Sequence, residues 1–465
     1  MRPTEIPRFV LRRFTAGLLS LLTVLAGPVD SLAQPAKGGG GLPIIRDAEI
    51  EGLLRLYTRP VFKVAGINPK SVRVYIINDD RINAFVAGGQ RIFVNTGLLT
   101  RARTPNMVIG VLAHETGHIA GGHLARMGVE LDRASVTAIV GTLLGVAAVV
   151  GGAVAGDSQA ARAGQGVMIG SQGLAQRNFL SYQRSMEASA DQAALKYLTS
   201  TKQSAKGMIE LFNTLANQSI ATLRNVDPYV LSHPMPFDRI RNLEEAAQKT
   251  PYFDAADGAA LTLRHQLMQA KLVGYQQSAS IVFQRYPKSD TSLAARYARA
   301  IATYRRGDIK NAVPMLDDLI RELPQNPYFW ELKGQALLEG GQPAAAIAPV
   351  RQALKLLPNN GLIQMLLAQS LIGAEDKASA AEAVNVLKKA QRSEGDVPVL
   401  YKYLGMAYGQ LGDGARAELA TAEYAYLQGD RQLAIGKAKA AQNLFKRGSP
   451  EWTRANDILT IASRK

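Results

Sequence analysis

The chain has 465 residues, of which 47% are hydrophobic and 20% charged, and it contains no cysteine. That apolar fraction excludes wholesale disorder, and the length leaves room for two or three domains. Without a thiol there is no disulfide framework, cysteine-ligated metal or thiol catalysis, while a net charge of +16 favours acidic partners, either nucleic acid or an anionic membrane surface.

The first residues bear on that choice. Arg2, Arg8, Arg12 and Arg13 precede the apolar run Leu18–Leu25, Gly27 and Pro28 break it, and Ser31-Leu32-Ala33 supplies a small-x-small stop. This pattern predicts a secretory signal peptide, residues 1–33, cut after Ala33, and so a periplasmic protein. Residues 34–43 read as a flexible leader, with organised sequence starting near Ile44. An exported chain rarely meets nucleic acid, and no nucleic-acid module, Walker loop or aromatic–basic interleaving is present. No nucleic-acid partner is expected. The charge points instead to peripheral contact with an anionic membrane, or to solubility alone.

Val72–Ile77 and Ile82–Val94 read as strands, the second a hairpin turning at Gly88-Gly89. Asn83, Ala84 and Phe85 fall on its first arm, where an edge strand would hold an extended peptide by main-chain hydrogen bonds. Met107–Met127 then has helical apolar periodicity and carries His114-Glu115-Thr116-Gly117-His118. Spacing i, i+4 puts both imidazoles on one helical face, about one turn apart, where they can share one zinc ion. Glu115 is close enough to take a proton from a water on that ion. Composition alone gives roughly 0.004 chance matches to this pattern, so it is a strong signal. His123 lies nine residues past His114, which on a continuous helix is the opposite side, and reads as a surface or supporting histidine.

Ala134 to Gly156 carries no charge over 23 residues, long enough to span a bilayer. It lies between two halves of one expected metal site, and the polar stretch Asp157–Arg184 offers no return crossing. Residues 134–176 are therefore expected to form a helical hairpin that caps the protein or dips into lipid. The third metal ligand is expected from Glu187, with Asp191 on the same helical face accepting the free N–H of a ligand histidine. His233 sits alone in a proline-bounded loop, followed by Arg239.

From about Ala255 a 34-residue period appears: Ala300/Gly334, Gly307/Gly341, Ala312/Ala346, Leu316/Val350, Leu319/Ala353 and Pro324/Pro358. Tyr401-x-x-Leu404-Gly405-x-x-Tyr408 has the same small-residue helical pattern. The register slips by about three residues within Lys377–Ala390. His265, near the start of this region, reads as structural.

The His-Glu-x-x-His and Glu-x-x-x-Asp motifs together resemble the gluzincin metallopeptidases, specifically the Ste-endopeptidase/HtpX-like family. The stretches from Asn83 to Leu99 and from Ser232 to Leu243 share that resemblance, which covers roughly residues 44–250. The later repeats resemble tetratricopeptide repeats, which form concave surfaces for peptides and partner proteins. The expected architecture is an α+β metallopeptidase domain over 44–254, its zinc helix packed on a small sheet, followed by an all-α tetratricopeptide-repeat solenoid over 255–465. The resemblance implies one zinc ion per chain on His114, His118 and Glu187, with Glu115 catalytic. It also implies that His233 approaches the zinc, either stabilising the oxyanion or filling the open position as a shut-off, with Arg239 orienting its loop. An exported gluzincin joined to such repeats resembles periplasmic proteases that act on outer-membrane proteins and their β-barrel assembly machinery. The expected function is an endopeptidase that degrades misfolded or stalled outer-membrane proteins and assists their assembly, the repeats docking the machinery. The alternative is a chaperone or scaffold whose peptidase is latent. Some members of that family carry a cysteine pair; here none exists.

Overall fold

The computed structural model describes residues 43–127, 180–221, 229–230 and 233–463. The expected signal peptide, the leader through residue 42 and the 134–176 hairpin lie outside the described residues. Four short strands, β1 (Ile44–Ile45), β2 (Arg73–Ile77), β3 (Ala84–Ala87) and β4 (Arg91–Asn95), form one sheet in the order β1-β2-β4-β3. β4 runs parallel to β2 and antiparallel to β3, with Phe85 opposite Phe93. The hairpin turns where expected, Gly88 and Gly89 both taking positive φ (57° and 93°), which side-chain-bearing residues disfavour. Alternation along β4 sends Ile92 and Val94 to the core. It sends Phe93 to the other face, where it stacks on Tyr75 and Phe85 at 5.2 Å each.

On the core face lie α1 (Ala48–Val64), α2 (Thr96–Arg101) and α3 (Pro105–Ala120). Asp47 caps α1 by accepting from the Ile50 N–H at 2.8 Å. Thr104 caps α3, with Pro105 in its first turn where a missing N–H costs nothing. α3 is the central helix of this domain, buried at every position from Pro105 to Gly117. Residues 180–200 form α4, followed by α5 (Lys206–Ala221) and α6 (Phe237–Gln248). α5 crosses α3 at Gly110, where a Cβ would lie 2.4 Å from the Cβ of Met208. Leu53, Ile76, Val94, Leu112, Leu198 and Phe212 are among the shared core residues.

The expected helix through Met127 is shorter in the structure. α3 stops at Ala120 because Gly121 caps it and Gly122 takes φ 61°, reversing the chain before residues 123–127 resume a helical turn.

α7 (Ala259–Gln276) serves two cores. Its Met268 and Leu272 join the sheet-side core, while Leu267, Ala270 and Val273 join that of the following helices. His265 on α7 is buried, its Nδ1 3.0 Å from the Tyr57 hydroxyl and its Nε2 2.8 Å from the Ala102 carbonyl. After α8 (Ala279–Arg285) come antiparallel pairs: α9 (Leu293–Arg305) with α10 (Ile309–Glu322), α11 (Pro327–Glu339) with α12 (Pro343–Leu356), α13 (Gly361–Gly373) with α14 (Lys377–Glu394), and α15 (Pro398–Leu411) with α16 (Gly414–Gln428). α17 (Arg431–Leu444) and α18 (Pro450–Ser463) close the array. Small residues let partners touch: a Cβ at Gly334 would meet Val350 Cγ2 at 2.2 Å. Within pairs, Gly307 and Gly341 make the same left-handed turn (φ 79° and 74°).

The array is tied to the sheet domain by charge. Buried Lys271 on α7 reaches Asp47 at 2.8 Å and Glu49 at 3.4 Å. Tyr297 on α9 donates to Glu49 at 2.9 Å, and Arg46 pairs with Glu394 at 2.7 Å. No helix among the described residues is long and apolar enough to cross a membrane.

Candidate metal centre

Helical spacing sets the first two groups. His114 and His118 stand one turn apart on α3, ring centroids 4.7 Å apart, with their Nε2 atoms 3.1 Å from each other. α4 is brought against that face by a missing side chain: a Cβ at Gly117 would lie 2.9 Å from the Ala190 carbonyl oxygen. This close approach places Glu187 and Asp191 of α4 over the imidazoles. Glu187 Oε1 lies 3.4 Å from His118 Nε2, and its Oε2 3.4 Å from His114 Nε2. Asp191 Oδ1 faces the other side of the His114 ring, 3.0 Å from Nδ1.

The third element is the chain around His233. Its backbone N–H donates to the Tyr229 carbonyl at 2.8 Å, and the two rings pack 4.6 Å apart. His233 Nδ1 lies 3.1 Å from both Glu187 oxygens and 3.3 Å from His114 Nε2. Its Nε2 is 3.4 Å from Glu115 Oε1. Arg239 on α6 locks the assembly from behind, donating to Asp191 and, through Nη1, to the Pro234 carbonyl at 2.9 Å. The same Nη1 lies 2.9 Å from Glu187 Oε2.

One ligating atom from each of His114, His118, Glu187 and His233 lies within 4.8 Å of the others, and all four residues are buried. Burial opposes charge on His114, but hydrogen bonds to Asp191 and Glu187 outweigh it and hold the imidazole up at about 9. His118 goes the other way, pushed down to about 2 by burial and by the charge on His114. Burial also works against ionised Glu187, yet hydrogen bonds from His114 and His233 keep it below the usual carboxylate range. Asp191 is held down in the same way by Arg239 and His114, against its own burial. Burial raises Glu115, whose Oε1 is enclosed without a hydrogen-bond partner. Three imidazoles and three carboxylates crowded in one buried cluster cannot all settle by sharing protons. A divalent cation among N and O donors of this type satisfies them, so the residues fit a metal ion.

The profile of peptidase family M48 matches residues 51–247. The chain carries a family M48 metallopeptidase domain. This makes it a metalloprotease, and the expected α+β domain followed by helical repeats is the observed order. Tetratricopeptide-repeat profiles match residues 297–361 and 336–397. A Yersinia pestis protein named β-barrel assembly-enhancing protease is 25% identical over 419 residues, 89% of this chain and 83% of the relative. The protein of that name from Escherichia coli K12 is 22% identical over 440 residues, 92% of this chain and 88% of its own length.

The structure brings His114, Glu115, His118, Glu187, Asp191, His233 and Arg239 of the M48 domain into one cluster. Of the edge-strand residues, Ala84 and Phe85 are in β3, the outer strand next to α3, and Asn83 precedes it, its carbonyl accepting from the Asn95 N–H at 2.9 Å. Sequence reasoning passed over Tyr229 and Phe212, which wall the site; Phe212 packs edge-on to His114 at 5.8 Å and under the Arg239 guanidinium at 5.7 Å. Neither carries a local signal, because an isolated aromatic reads as core. His123 lies opposite His114 only on a continuous helix; the Gly121-Gly122 pair breaks that helix, and the residue is buried beside His118 rather than at the surface.

Proposed function

We infer that this metalloprotease is a zinc-dependent endopeptidase of the bacterial cell envelope, which degrades misfolded or stalled outer-membrane proteins and assists their assembly. The observation that carries this reading is the convergence of His114, His118 and Glu187 beside a buried Glu115 oxygen that accepts no hydrogen bond. The basic-then-apolar N-terminus supports export, and the relatives' printed name supports the client class. A zinc ion bound by these donors supplies Lewis acidity and lowers the pKa of a water toward ~7. Glu115 takes a proton from the attacking water and hands it to the amide nitrogen as the C–N bond breaks, returning to its starting state. Its burial raises its proton affinity, which suits a group that must hold a proton between two steps. The peptide lies along β3 and adds to the sheet. That mode of binding reads main chain more than side chains and suits unfolded clients. The repeats dock the assembly machinery, and the net charge of +16 supports peripheral contact with anionic lipid.

One observation favours a second reading, a chaperone with a latent peptidase. His233 Nδ1 lies in the same donor set as His114, His118 and Glu187, so at rest it would compete with a substrate carbonyl for a place on the ion. In the active form His233 withdraws and steadies the oxyanion.

Glu115→Gln keeps the shape and removes the base. Turnover of an unfolded outer-membrane protein is expected to fall by about 10²–10⁴-fold with zinc content unchanged. Equal turnover in wild type and variant would rule out the enzyme reading in favour of the chaperone, and a rise in resting proteolysis in His233→Ala would establish the latch.

A further inference from the structure

His123 occupies a place that only the end of α3 makes possible. After the reversal at Gly122 its ring folds back on the last turn of α3, where it is 4% exposed. Its Nδ1 lies 3.0 Å from Nδ1 of His118, the two rings edge-on with centroids 5.0 Å apart. The space belongs to Gly121, since a Cβ there would sit 2.3 Å from His123 Nε2. His118 is thus engaged on both sides, with Nε2 toward His114 and Glu187 and Nδ1 toward His123.

An imidazole that binds metal through Nε2 carries its proton on Nδ1, and a buried Nδ1–H needs an acceptor. For His114 the Asp191 carboxylate lies 3.0 Å from that nitrogen. The group facing Nδ1 of His118 is the other imidazole. His123 does not itself reach the donor set, which comprises His114, His118, Glu187 and His233.

We propose that His123 is a positioning residue for the metal centre, a neutral imidazole protonated on Nε2 that accepts the Nδ1–H of His118 and so fixes that ligand's tautomer and ring plane. The proposal rests on the zinc reading above. It makes the two histidine ligands unlike: His114 is backed by an anion held by Arg239, His118 by a neutral ring held by a glycine turn.

The test is zinc affinity of the full-length chain by chelator competition, with melting of the metal-free protein measured alongside. His123→Leu is expected to weaken zinc binding about 10–100-fold. His123→Asn offers an amide oxygen to the same N–H and is expected to recover affinity to within about threefold of wild type. Gly121→Ala retains every imidazole but displaces the His123 ring, and should behave like the leucine variant. In zinc-loaded wild type, long-range proton–nitrogen spectra should show His118 protonated on Nδ1 and His123 on Nε2. A leucine variant that binds zinc as tightly as wild type, or an asparagine variant no better than leucine, overturns the proposal. Should His123→Leu fail to fold, the asparagine and Gly121→Ala variants decide it. Wild-type protein that binds no zinc would overturn the metal reading itself, a separate result.

Discussion

Arg239 grips Asp191 with two parallel hydrogen bonds, Nε to Oδ2 at 2.7 Å and Nη2 to Oδ1 at 2.8 Å, both side chains largely buried. Through that grip α6 fixes a carboxylate on α4, and the carboxylate fixes a histidine on α3. Three helices distant in sequence therefore share one geometry.

Asp191→Asn should separate the two consequences of this arrangement. Losing the anion behind His114 is expected to weaken metal binding about 10–100-fold. Arg239 then keeps Glu187 and the Pro234 carbonyl, and losing its paired hydrogen bonds to a charged carboxylate should cost about 1.5–3 kcal/mol of stability. Replacing both, as Asp191→Asn with Arg239→Met, should restore much of the stability but none of the metal affinity. Denaturant unfolding and chelator competition measure the two quantities, and parallel recovery of both would contradict the division of roles.

Gly117 tests whether the approach of α4 builds the site. A valine there puts methyl groups against Ala190, whose carbonyl oxygen and Cα would lie 2.9 and 3.0 Å from the new Cβ. The helices must separate, carrying Glu187 away from the imidazoles. A stability loss of about 1–3 kcal/mol is expected from overpacking, together with a fall in metal affinity. Gly117→Val protein that binds metal like wild type would show that Glu187 reaches the site by another route.

The outer edge of β3 is open to a test by proline. Asn95 donates to Asn83, and the register then turns Phe85 and Ala87 toward β4, leaving the main-chain groups of Ala84 and Val86 facing outward. Val86→Pro deletes an outward N–H and spares the ladder, which edge strands tolerate. If clients add to this edge, kcat/KM for an unfolded protein should drop about tenfold while metal affinity stays unchanged, the loss of one bond worth roughly 1.4 kcal/mol. Unchanged kcat/KM would move the substrate elsewhere.

What the sequence makes legible is local chemistry on a regular element. His114, Glu115 and His118 announce themselves because four residues are one helical turn, and the hairpin does so because two glycines interrupt an alternating run. Glu187 and Asp191 carry meaning only beside that motif. The end of α3 is harder, because apolar periodicity continues past Gly121 although the backbone does not. The dual service of α7 is invisible in composition, since both of its faces are apolar and only the fold says which core each one joins. The slip in the repeats has a visible cause: successive pairs begin at Leu293, Pro327 and Gly361 and then at Pro398, because α14 is 18 residues long where α12 has 14. Glu375 meanwhile takes the left-handed turn (φ 57°) that glycine holds in the two preceding pairs.

The charged junction between the two parts of the chain should make stability depend on pH. Glu331 on α11 has its Oε2 enclosed without a hydrogen-bond partner. Burial is the main cause that pushes it up to about 8, Lys271 pulling it down and Asp47 and Glu49 adding to the rise. A carboxyl raised in the folded state contributes its full share of stability below the unfolded value of 4.5, where both states hold the proton. Between there and about 8 the unfolded chain releases a proton that the folded chain keeps, so stability falls as pH rises, by at most about 1.4 kcal/mol per unit. Above the folded value the slope vanishes. Glu331→Gln removes this contribution, so the variant should gain on wild type by at least about 1 kcal/mol between pH 5 and pH 8.5. Urea unfolding of both proteins at the two pH values measures the gain; curves that stay parallel would mean that Lys271 keeps Glu331 ionised in the native state throughout.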